Sequence, residues 1–274
     1  MADDPQKWSV PDEMAPSAEK PPAKSFDVAD LEITDVLEVL SKGLRDFRRA
    51  PLYGLVFGGI YGLGGWLLLA LLLLLNLPYL AYPLAAGFAI IAPFIACAFY
   101  CVSDCLERDA ELSWGRIAAS LRQAANQEMT WMALVTFFTL FIWMDIAAFL
   151  FFGFFGLTSM TFGELINEIL TTPKGILFLL IGNGAGAVIA LAVFSFSVTS
   201  FPMLYHRNVD FITAMITSVR VVRKNPRCMV FWAALIACMV GLSLLSGFFG
   251  LFLVLPVLGH ASWHLYRRAV RAKT

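Results

Sequence analysis

The sequence predicts an all-α membrane protein, a polytopic bundle of six transmembrane helices arranged as three hairpins, each preceded by a cytoplasmic amphipathic helix. Three observations predict this fold class. Apolar residues make up 59% of the chain and charged residues 15%, against about 45–50% and about 25% in soluble domains. Apolar segments of about 20 residues, enough to cross about 30 Å of hydrocarbon, recur along the chain. The connections between them alternate between rich and poor in Lys and Arg.

The first 28 residues predict a disordered cytoplasmic tail. Five of the 13 prolines precede residue 26, and the chain begins "MADDPQKWSV", which is acidic and polar. A segment of this composition cannot bury enough apolar surface to fold. A cleaved secretory signal would need a basic start followed by an apolar core. We therefore expect the first membrane helix to serve as the insertion signal.

Six segments have the length and composition of membrane spans. The fifth and sixth are separated by so few residues that they must form a tight hairpin. The predicted spans are Leu52–Leu77, Tyr82–Val102, Met132–Leu157, Gly175–Met203, Met229–Leu245 and Phe248–Tyr266.

The distribution of basic residues predicts the orientation in the membrane. Lys and Arg concentrate before span one, after span two, after span four and after span six, and Lys174 is the only basic residue left for the other side. Connections rich in Lys and Arg stay in the cytoplasm. We therefore expect a multi-pass protein of the bacterial inner membrane with both termini cytoplasmic.

An internal repeat divides the chain into three modules. Asp35–Pro51 ("DVLEVLSKGLRDFRRAP") aligns with Asp210–Pro226 ("DFITAMITSVRVVRKNP"), and Ala118–Gln127 gives a weaker third copy. Each copy precedes a hairpin, which predicts modules at residues 29–103, 104–203 and 204–274. An amphipathic helix at these places would lie in the membrane interface, its cations near anionic headgroups; a partner-docking surface is the alternative. The interfacial basic residues are Arg45, Arg48, Arg49, Arg220, Arg223 and Lys224.

Two of the three histidines, His260 and His264, lie one helical turn apart near the end of the last span. This spacing places both imidazoles on one helix face, where they could ligate a metal together with Cys101 and Cys105. Thiolate and imidazole ligands suit copper(I) or zinc. The alternative, which we favour, is that both histidines anchor the last helix by hydrogen bonds to facing helices, with Trp263 and Tyr266 at the membrane interface.

Asp145 is the one acidic residue near the middle of a span, and Asn183 is predicted to lie at a similar depth in the next span. Because a charge at that depth is costly, Asp145 should face the bundle interior. The two side chains could form an ion or proton relay. We favour instead a protonated Asp145 that joins two helices by a hydrogen bond to Asn183.

The sequence resembles an uncharacterised family of predicted bacterial integral membrane proteins. The resemblance rests on "FRRAPLYGLVFGGIYGLGG" (Phe47–Gly65), on Phe201–Pro226 and on "PVLGHASWHLYRRAV" (Pro256–Val270). Some members of that family carry the label of cytochrome c oxidase subunit, but a catalytic subunit would need metal-ligating histidines on several helices, whereas His260 and His264 lie on one. The resemblance implies instead an accessory or assembly role beside a respiratory or photosynthetic complex. The most specific motif comprises Gly259, His260, Trp263, His264, Tyr266 and Arg267.

These patterns predict a protein that is not an enzyme. The sequence contains no Ser-His-Asp grouping and no CxxC motif, and we expect no cofactor. Its partners would be the lipid bilayer and other integral membrane proteins of a bioenergetic complex, with no nucleic acid. The sequence therefore favours a non-catalytic accessory, scaffold or assembly protein. The alternative is a small transporter or metal-handling protein that uses Asp145 and Asn183 or the His/Cys cluster.

Overall fold

The protein folds into a helical bundle closed at one end by a two-stranded sheet. The computed structural model describes residues 26–74, 81–157 and 162–272. The strands β1 and β2 are Phe26–Val28 and Val270–Ala272. The helices α1 to α11 are, in chain order, Ile33–Arg49, Pro51–Leu73, Ala81–Glu107, Trp114–Ala124, Gln127–Phe155, Phe162–Thr171, Pro173–Ser197, Ser200–His206, Phe211–Lys224, Pro226–Leu245 and Leu251–Ala269.

The two strands join the beginning and the end of the described chain. They pair antiparallel, Phe26 opposite Ala272 and Val28 opposite Val270. The predicted disordered tail, residues 1–28, therefore extends too far, because its last residues form β1 and Phe26 is buried. Strand β2 supplies the backbone hydrogen bonds that a short isolated segment lacks. The remainder of that predicted tail lies outside the described residues.

Helix α1 packs against the last helix, α11. Val36, Val39 and Gly43 are buried at helical spacing along one face of α1. A Cβ added at Gly43 would meet the backbone carbonyl of Val257 and the backbone nitrogen of Ala261. Glycine at this position therefore lets the two helices approach closely. The buried face of α1 is thus occupied by protein, and the prediction that such helices lay their apolar face on the membrane does not hold for α1.

Helices α2 and α11 are held together by a glycine stripe on α2. Added Cβ atoms at Gly58 and Gly62 would meet Pro256 and Phe252 of α11. Small residues permit this close approach between spans. The turn between α10 and α11 contains Gly247 (φ 68°) and Phe248 (φ 69°), both left-handed. The predicted tight hairpin is present, but its second helix begins at Leu251 because the turn occupies the preceding residues.

The two copies of the repeat make the same backbone junction. Ala50 (φ −136°, ψ 55°) separates α1 from Pro51, and Asn225 (φ −123°, ψ 53°) separates α9 from Pro226. Each proline is the first residue of a helix, where its missing N–H is not needed. The aligned aspartates differ, since Asp210 caps α9 through the Thr213 amide, whereas Asp35 lies in the first turn of α1.

Helices α5 and α7 form a hairpin whose beginning and end, at Met129 and Phe196, pack into the core of the bundle. Within the most apolar stretch of each helix, however, no residue is buried. Trp143 of α5 packs against Gly186 of α7, where an added Cβ would lie 3.0 Å from the indole ring. The short helix α6, which the sequence did not predict, lies between them and packs against α7, where an added Cβ at Gly175 would meet the backbone of Ile169.

The all-α membrane bundle is confirmed. Four helical segments in the described part of the chain are long and apolar enough to cross a membrane: Pro51–Leu71, Gln127–Phe155, Pro173–His206 and Pro226–Leu245. They contain most of the predicted first, third, fourth and fifth spans. For α3, the side chains of the first ten residues lie outside the described part. The last half of α11 is polar and buried in protein, so the count of six spans stays a prediction.

Candidate functional site

A buried polar cluster joins α1, α3 and α11 at the end of the bundle that carries the sheet. Its members are Asp46, Ser103, Glu107, His260 and His264. Helix α3 contributes Ser103 and Glu107, four residues apart, and α11 contributes His260 and His264, also four residues apart. Equal spacing on two facing helices brings the pairs into register. The two histidines that the sequence singled out therefore lie in one hydrogen-bond network.

His260 is fully buried and anchors α11 to α3. Its Nδ1 lies 3.2 Å from the Phe99 carbonyl oxygen and 2.9 Å from Ser103 Oγ. Because a carbonyl oxygen can only accept, Nδ1 carries the proton of this ring. Ser103 in turn donates its hydroxyl proton to Asp46 Oδ2, at 2.9 Å. The Nε2 atom of His260 is buried and has no hydrogen-bond partner among the described residues.

His264 lies between two carboxylates. Its Nε2 is 2.7 Å from Asp46 Oδ2 and its Nδ1 is 3.1 Å from Glu107 Oε1. A neutral imidazole has one N–H and can donate to one partner only, whereas the imidazolium donates from both nitrogens. Carboxylates on both sides therefore select the protonated ring. The protonated His264 therefore joins α11 to both α1 and α3 by charge-assisted hydrogen bonds.

The pKa values of the two carboxyl groups are lowered by their contacts with His264. Burial by itself would raise the pKa of the Asp46 carboxyl, but the hydrogen bond and positive charge of His264, with the hydroxyl of Ser103, hold that pKa below its usual value. Burial likewise would raise the pKa of Glu107, and His264 together with Arg267 lowers it. Both groups are therefore ionised in the folded protein at neutral pH.

The structure does not bring together the predicted metal ligands. The imidazoles of His260 and His264 have protein partners, whereas Cys101 and Cys105 lie in an apolar cluster with Phe57 and Ile117. Among the residues that the structure describes, no three His, Cys, Asp or Glu side chains are placed to hold a metal ion. The histidines act instead in the alternative predicted role, as hydrogen-bonded anchors of the last helix.

The remaining motif residues form the core around this cluster. Trp263 and Tyr266 are fully buried, so their predicted place at the membrane interface is wrong. Trp263 stacks on Tyr100, with ring centroids 6.2 Å apart. An added Cβ at Gly259 would meet the Phe99 ring, which explains the glycine. These neighbours lie on α3, far away in sequence. Because the aromatic rings of α11 pack against them, the rings lie in the protein interior.

Tyr266 and Arg267 extend the network to α8. The Arg267 guanidinium donates to His206 Nε2 at 3.2 Å. Since a guanidinium only donates, the neutral His206 ring carries its proton on Nδ1, which donates to Tyr266 Oη at 2.9 Å. Tyr266 Oη also accepts from Arg207 Nε at 2.9 Å. Arg267 Nε lies 3.7 Å from Glu107 Oε2, so the network runs continuously from His206 to His260.

A polar cavity of about 720 Å³ adjoins this network. It lies between the end of α3, helix α4, the beginning of α5 and helix α8. Both charges occur in its wall, with Asp104 and Glu128 facing Arg108 and Arg207. Arg108 Nε donates to Asp104 at 2.9 Å, and Glu128 accepts from the Phe211 amide at 2.8 Å. Arg207, which also lines the cavity, donates to Tyr266 Oη and so links the cavity wall to the network.

Three members of the polar cluster, Asp46, Ser103 and Glu107, were not predicted. A signal for Asp46 does exist, because Val36, Val39, Gly43 and Asp46 follow one another at steps of three or four residues. That spacing places the carboxylate on the buried face of α1. Ser103 and Glu107 follow Phe99 at steps of four, but nothing in the sequence reveals that α11 faces this side of α3.

Asp145 and Asn183 do not meet. Asn183 donates to the Leu179 carbonyl of its own helix at 2.7 Å. Asp145 is exposed on α5 and has no hydrogen bond or ion pair in the described part of the chain. The prediction that it faces the bundle interior is wrong for the single chain. A charged residue at the centre of a span costs on the order of 3 kcal/mol when it faces lipid, so its position needs an explanation.

The six predicted interfacial basic residues are exposed. Lys224 Nζ lies 3.1 Å from Asp30 Oδ1 and 2.7 Å from the Val28 carbonyl oxygen, which ties α9 to the sheet. On α9 the residues Ala214, Thr217, Ser218 and Val221 are buried, and Phe211, Met215 and Val222 pack against the core, whereas Ile212 and Ile216 are exposed. Most of the predicted apolar face of α9 is therefore covered by protein, and its place in the membrane interface stays a prediction.

Part of the chain matches a known protein family. Residues 81–206 match the family described as predicted integral membrane protein (DUF2189). This match confirms the resemblance to an uncharacterised membrane family. In this chain, the part similar to DUF2189 runs from α3 to α8 and includes the α5–α7 hairpin. The Gly-His-x-x-Trp-His motif lies beyond it. The label of cytochrome c oxidase subunit stays a prediction. Comparisons with curated proteins and with solved structures give no match.

Proposed function

We propose that this integral membrane protein is a non-catalytic accessory or scaffold protein of the bacterial inner membrane, which assists a larger respiratory or photosynthetic complex. The observation that carries this proposal is the α5–α7 hairpin, in which no residue of the most apolar stretch of either helix is buried by the chain itself. This uncovered apolar surface is available to another membrane protein.

The hairpin carries two apolar clefts of a size that suits side chains of another helix. They lie on either side of the Trp143–Gly186 contact and have volumes of about 470 and 440 Å³. Gly182 lines the first cleft, and a Cβ added there would meet open space. Since glycine weakens a helix unless close packing uses it, the open side of Gly182 supports the docking of a foreign helix. Asn183 beside it adds an amide for an interhelical hydrogen bond.

The experiment is purification of tagged protein from native membranes in mild detergent, followed by identification of the proteins that accompany it. Gly182→Leu fills the first cleft and should reduce the recovered partner at least tenfold. Gly241→Leu is the matched control, because its side chain also enters open space but lies on α10. A partner recovered equally with both variants, or no partner with the unmodified protein, would count against the accessory role.

The placement of basic residues supports the predicted orientation. The sheet and the Lys224 contact bring the ends of α1, α9 and α11 to one end of the bundle, and each of these helices has two basic residues in its last turn. The rule that Lys and Arg stay inside would place this end in the cytoplasm. Labelling an added cysteine after Thr274 in intact cells tests this, since a membrane-impermeant reagent should fail to reach it.

The transporter alternative has less support. An ion path through Asp145 and Asn183 needs both side chains on a shared cavity, but Asn183 lines the first cleft of the hairpin and Asp145 lines neither cleft. The metal-handling alternative lacks a described ligand set, as shown above.

A further inference from the structure

The outer face of α5 carries a row of exposed side chains with one carboxyl group in its middle. We call this set the Asp145 row. Its members follow at steps of four, four, three, four and three residues, which average one helical turn. The row consists of Leu134, Phe138, Ile142, Asp145, Phe149 and Phe152. It lies on the side of α5 opposite Trp143, the residue that contacts α7.

Lipid suits every member of this row except Asp145. Phe138 and Phe149 are 57% and 78% exposed and would lie well among acyl chains. The carboxyl group of Asp145 would find no hydrogen-bond partner there. Since the described part of the chain offers it none either, the row requires a protein surface that brings a polar group to the same depth.

We propose that the Asp145 row is the contact surface of a homodimer, in which the protonated Asp145 carboxyl groups of two copies hydrogen-bond to each other across the membrane interior. Two copies inserted in the same direction are related by an axis along the membrane normal. Such an axis places identical residues at identical depth, so Asp145 faces Asp145.

The chemistry of the carboxyl group favours a second copy as the occupant. A protonated carboxyl group has one donor and one acceptor, so two of them satisfy each other reciprocally. A carboxylate would need a cation instead. The four described spans carry Lys174 and Arg227, each one residue from the start of its helix, and neither can reach the depth of Asp145. With the symmetric packing of two copies along this row, the acid pair is therefore the polar contact at that depth.

The spacing of the row fits two helices packed side by side. Rows with steps of three and four residues pack at crossing angles of about 20° in membrane bundles. Phe138 and Phe149 lie about two turns below and one turn above Asp145 and would shield the acid pair from lipid and water. This proposal goes beyond the accessory role and is independent of it, because it uses the face of α5 opposite the clefts.

The first test is disulfide crosslinking of the full chain in vesicles of phosphatidylethanolamine and phosphatidylglycerol. Cys238 is exposed and is replaced by serine, whereas the other cysteines are buried. Phe149→Cys should yield a covalent dimer on mild oxidation, because equivalent residues on the axis approach within about 7 Å. Leu180→Cys, exposed on α7, is the matched control and should stay monomeric.

The second test measures the association constant by energy transfer between labelled copies as the lipid is diluted. Asp145→Leu should weaken association at least tenfold. Asp145→Asn, whose amide also donates and accepts, should stay within threefold of the unmodified protein. Both variants should keep their helical content, because Asp145 has no hydrogen bond or ion pair within the described chain.

Several outcomes would overturn the homodimer. A Phe149→Cys protein that stays monomeric, or an Asp145→Leu protein that associates as tightly as the original, rules it out. Crosslinking of Phe149→Cys in native membranes to a different protein alone would assign the row to a foreign partner. Loss of the partner with Gly182→Leu is a separate result, so the two proposals can fail independently.

Discussion

At the scale of single residues, His264 decides how the end of the bundle is held together. Both of its ring nitrogens face carboxylate oxygens, and both carboxyl groups have lowered pKa values. Three helices distant in sequence thus share one buried charge arrangement. Such an arrangement does not add greatly to stability compared with apolar packing, but removal of one partner leaves a buried charge uncompensated.

Asp46→Asn should destabilise the protein by roughly 3 kcal/mol at neutral pH, because it leaves the imidazolium with Glu107 alone. Because the pKa of Asp46 is lowered in the folded protein, the loss of stability in this variant should also depend on pH in a defined direction. Its ionised form contributes stability above the unfolded value of about 3.9, and this contribution is lost as the pH falls through the lower folded value. Thermal unfolding in detergent should therefore show a difference between wild type and Asp46→Asn that shrinks in acid.

The control for this experiment is Glu38→Gln. Glu38 forms exposed ion pairs with Lys42, at 2.8 Å, and with Arg268, at 2.6 Å, and exposed pairs contribute little. Its melting temperature should follow that of the wild type at every pH. A difference for Asp46→Asn that is the same at pH 7 and at pH 3 would mean that the carboxylate charge is not what holds the cluster.

The sequence predicted part of this site. The two histidines follow from the motif and its helical spacing, and both rings are hydrogen-bonded to facing helices. Asp46 could have been found from the buried stripe of α1. Ser103 and Glu107 could not, since their roles depend on how α3 and α11 face each other. Trp263 and Tyr266 were misplaced because an aromatic residue near a membrane boundary has the same composition signal whether it faces lipid or protein.

At the scale of helices, glycine positions divide the molecule into two parts. The space beside the glycines of α1 and α2 is filled by α11, whereas the space beside Gly182 and Gly184 of α7 is open. The first group explains how α1, α2 and α11 form one compact unit. The second group lies on the hairpin that we propose as the docking site of another membrane protein. Sequence periodicity predicts that both are helices of small residues, but only tertiary contacts distinguish which glycines are used within the chain.

Gly43→Ala tests the close packing of α1 on α11 with a single methyl group. The added Cβ would meet the backbone atoms of Val257 and Ala261, which cannot rotate away as a side chain can. We expect a loss of about 1–3 kcal/mol from overpacking, measured by thermal unfolding. Gly115→Ala on α4 meets nothing within 4 Å and should be neutral or stabilising. Equal effects of the two changes would contradict the close helix contact.

At the scale of the whole molecule, the two-stranded sheet joins the beginning of the described chain to its end. Phe26 is buried there, with the Arg207 guanidinium 5.2 Å above its ring centre. The sheet, α1 and α11 therefore make one cap over the end of the bundle. The sequence predicted the helices around it, but a strand of three residues has too little pattern to be predicted without its partner.

Phe26→Ala should destabilise this cap by on the order of 3 kcal/mol, because a buried aromatic ring is lost. The neighbouring Asp27 is exposed on the other face of the strand, so Asp27→Ala should have no measurable effect. Hydrogen exchange at the amides of β2 reports the result, and faster exchange is expected for Phe26→Ala alone. Unchanged exchange in both variants would show that the cap does not depend on β1.

The contact between α1 and α11 also has a consequence for biosynthesis. The partner that covers the buried face of α1 is the last helix to be made, more than 200 residues later in the chain. At about 5–20 residues per second, ribosomes need roughly 10–40 seconds to translate that interval. During this time the intermediate helices insert, while Val36 and Val39 are not yet covered by α11. A chain whose translation stops before Leu251 would keep that face open, where a chaperone or protease could recognise it as incomplete.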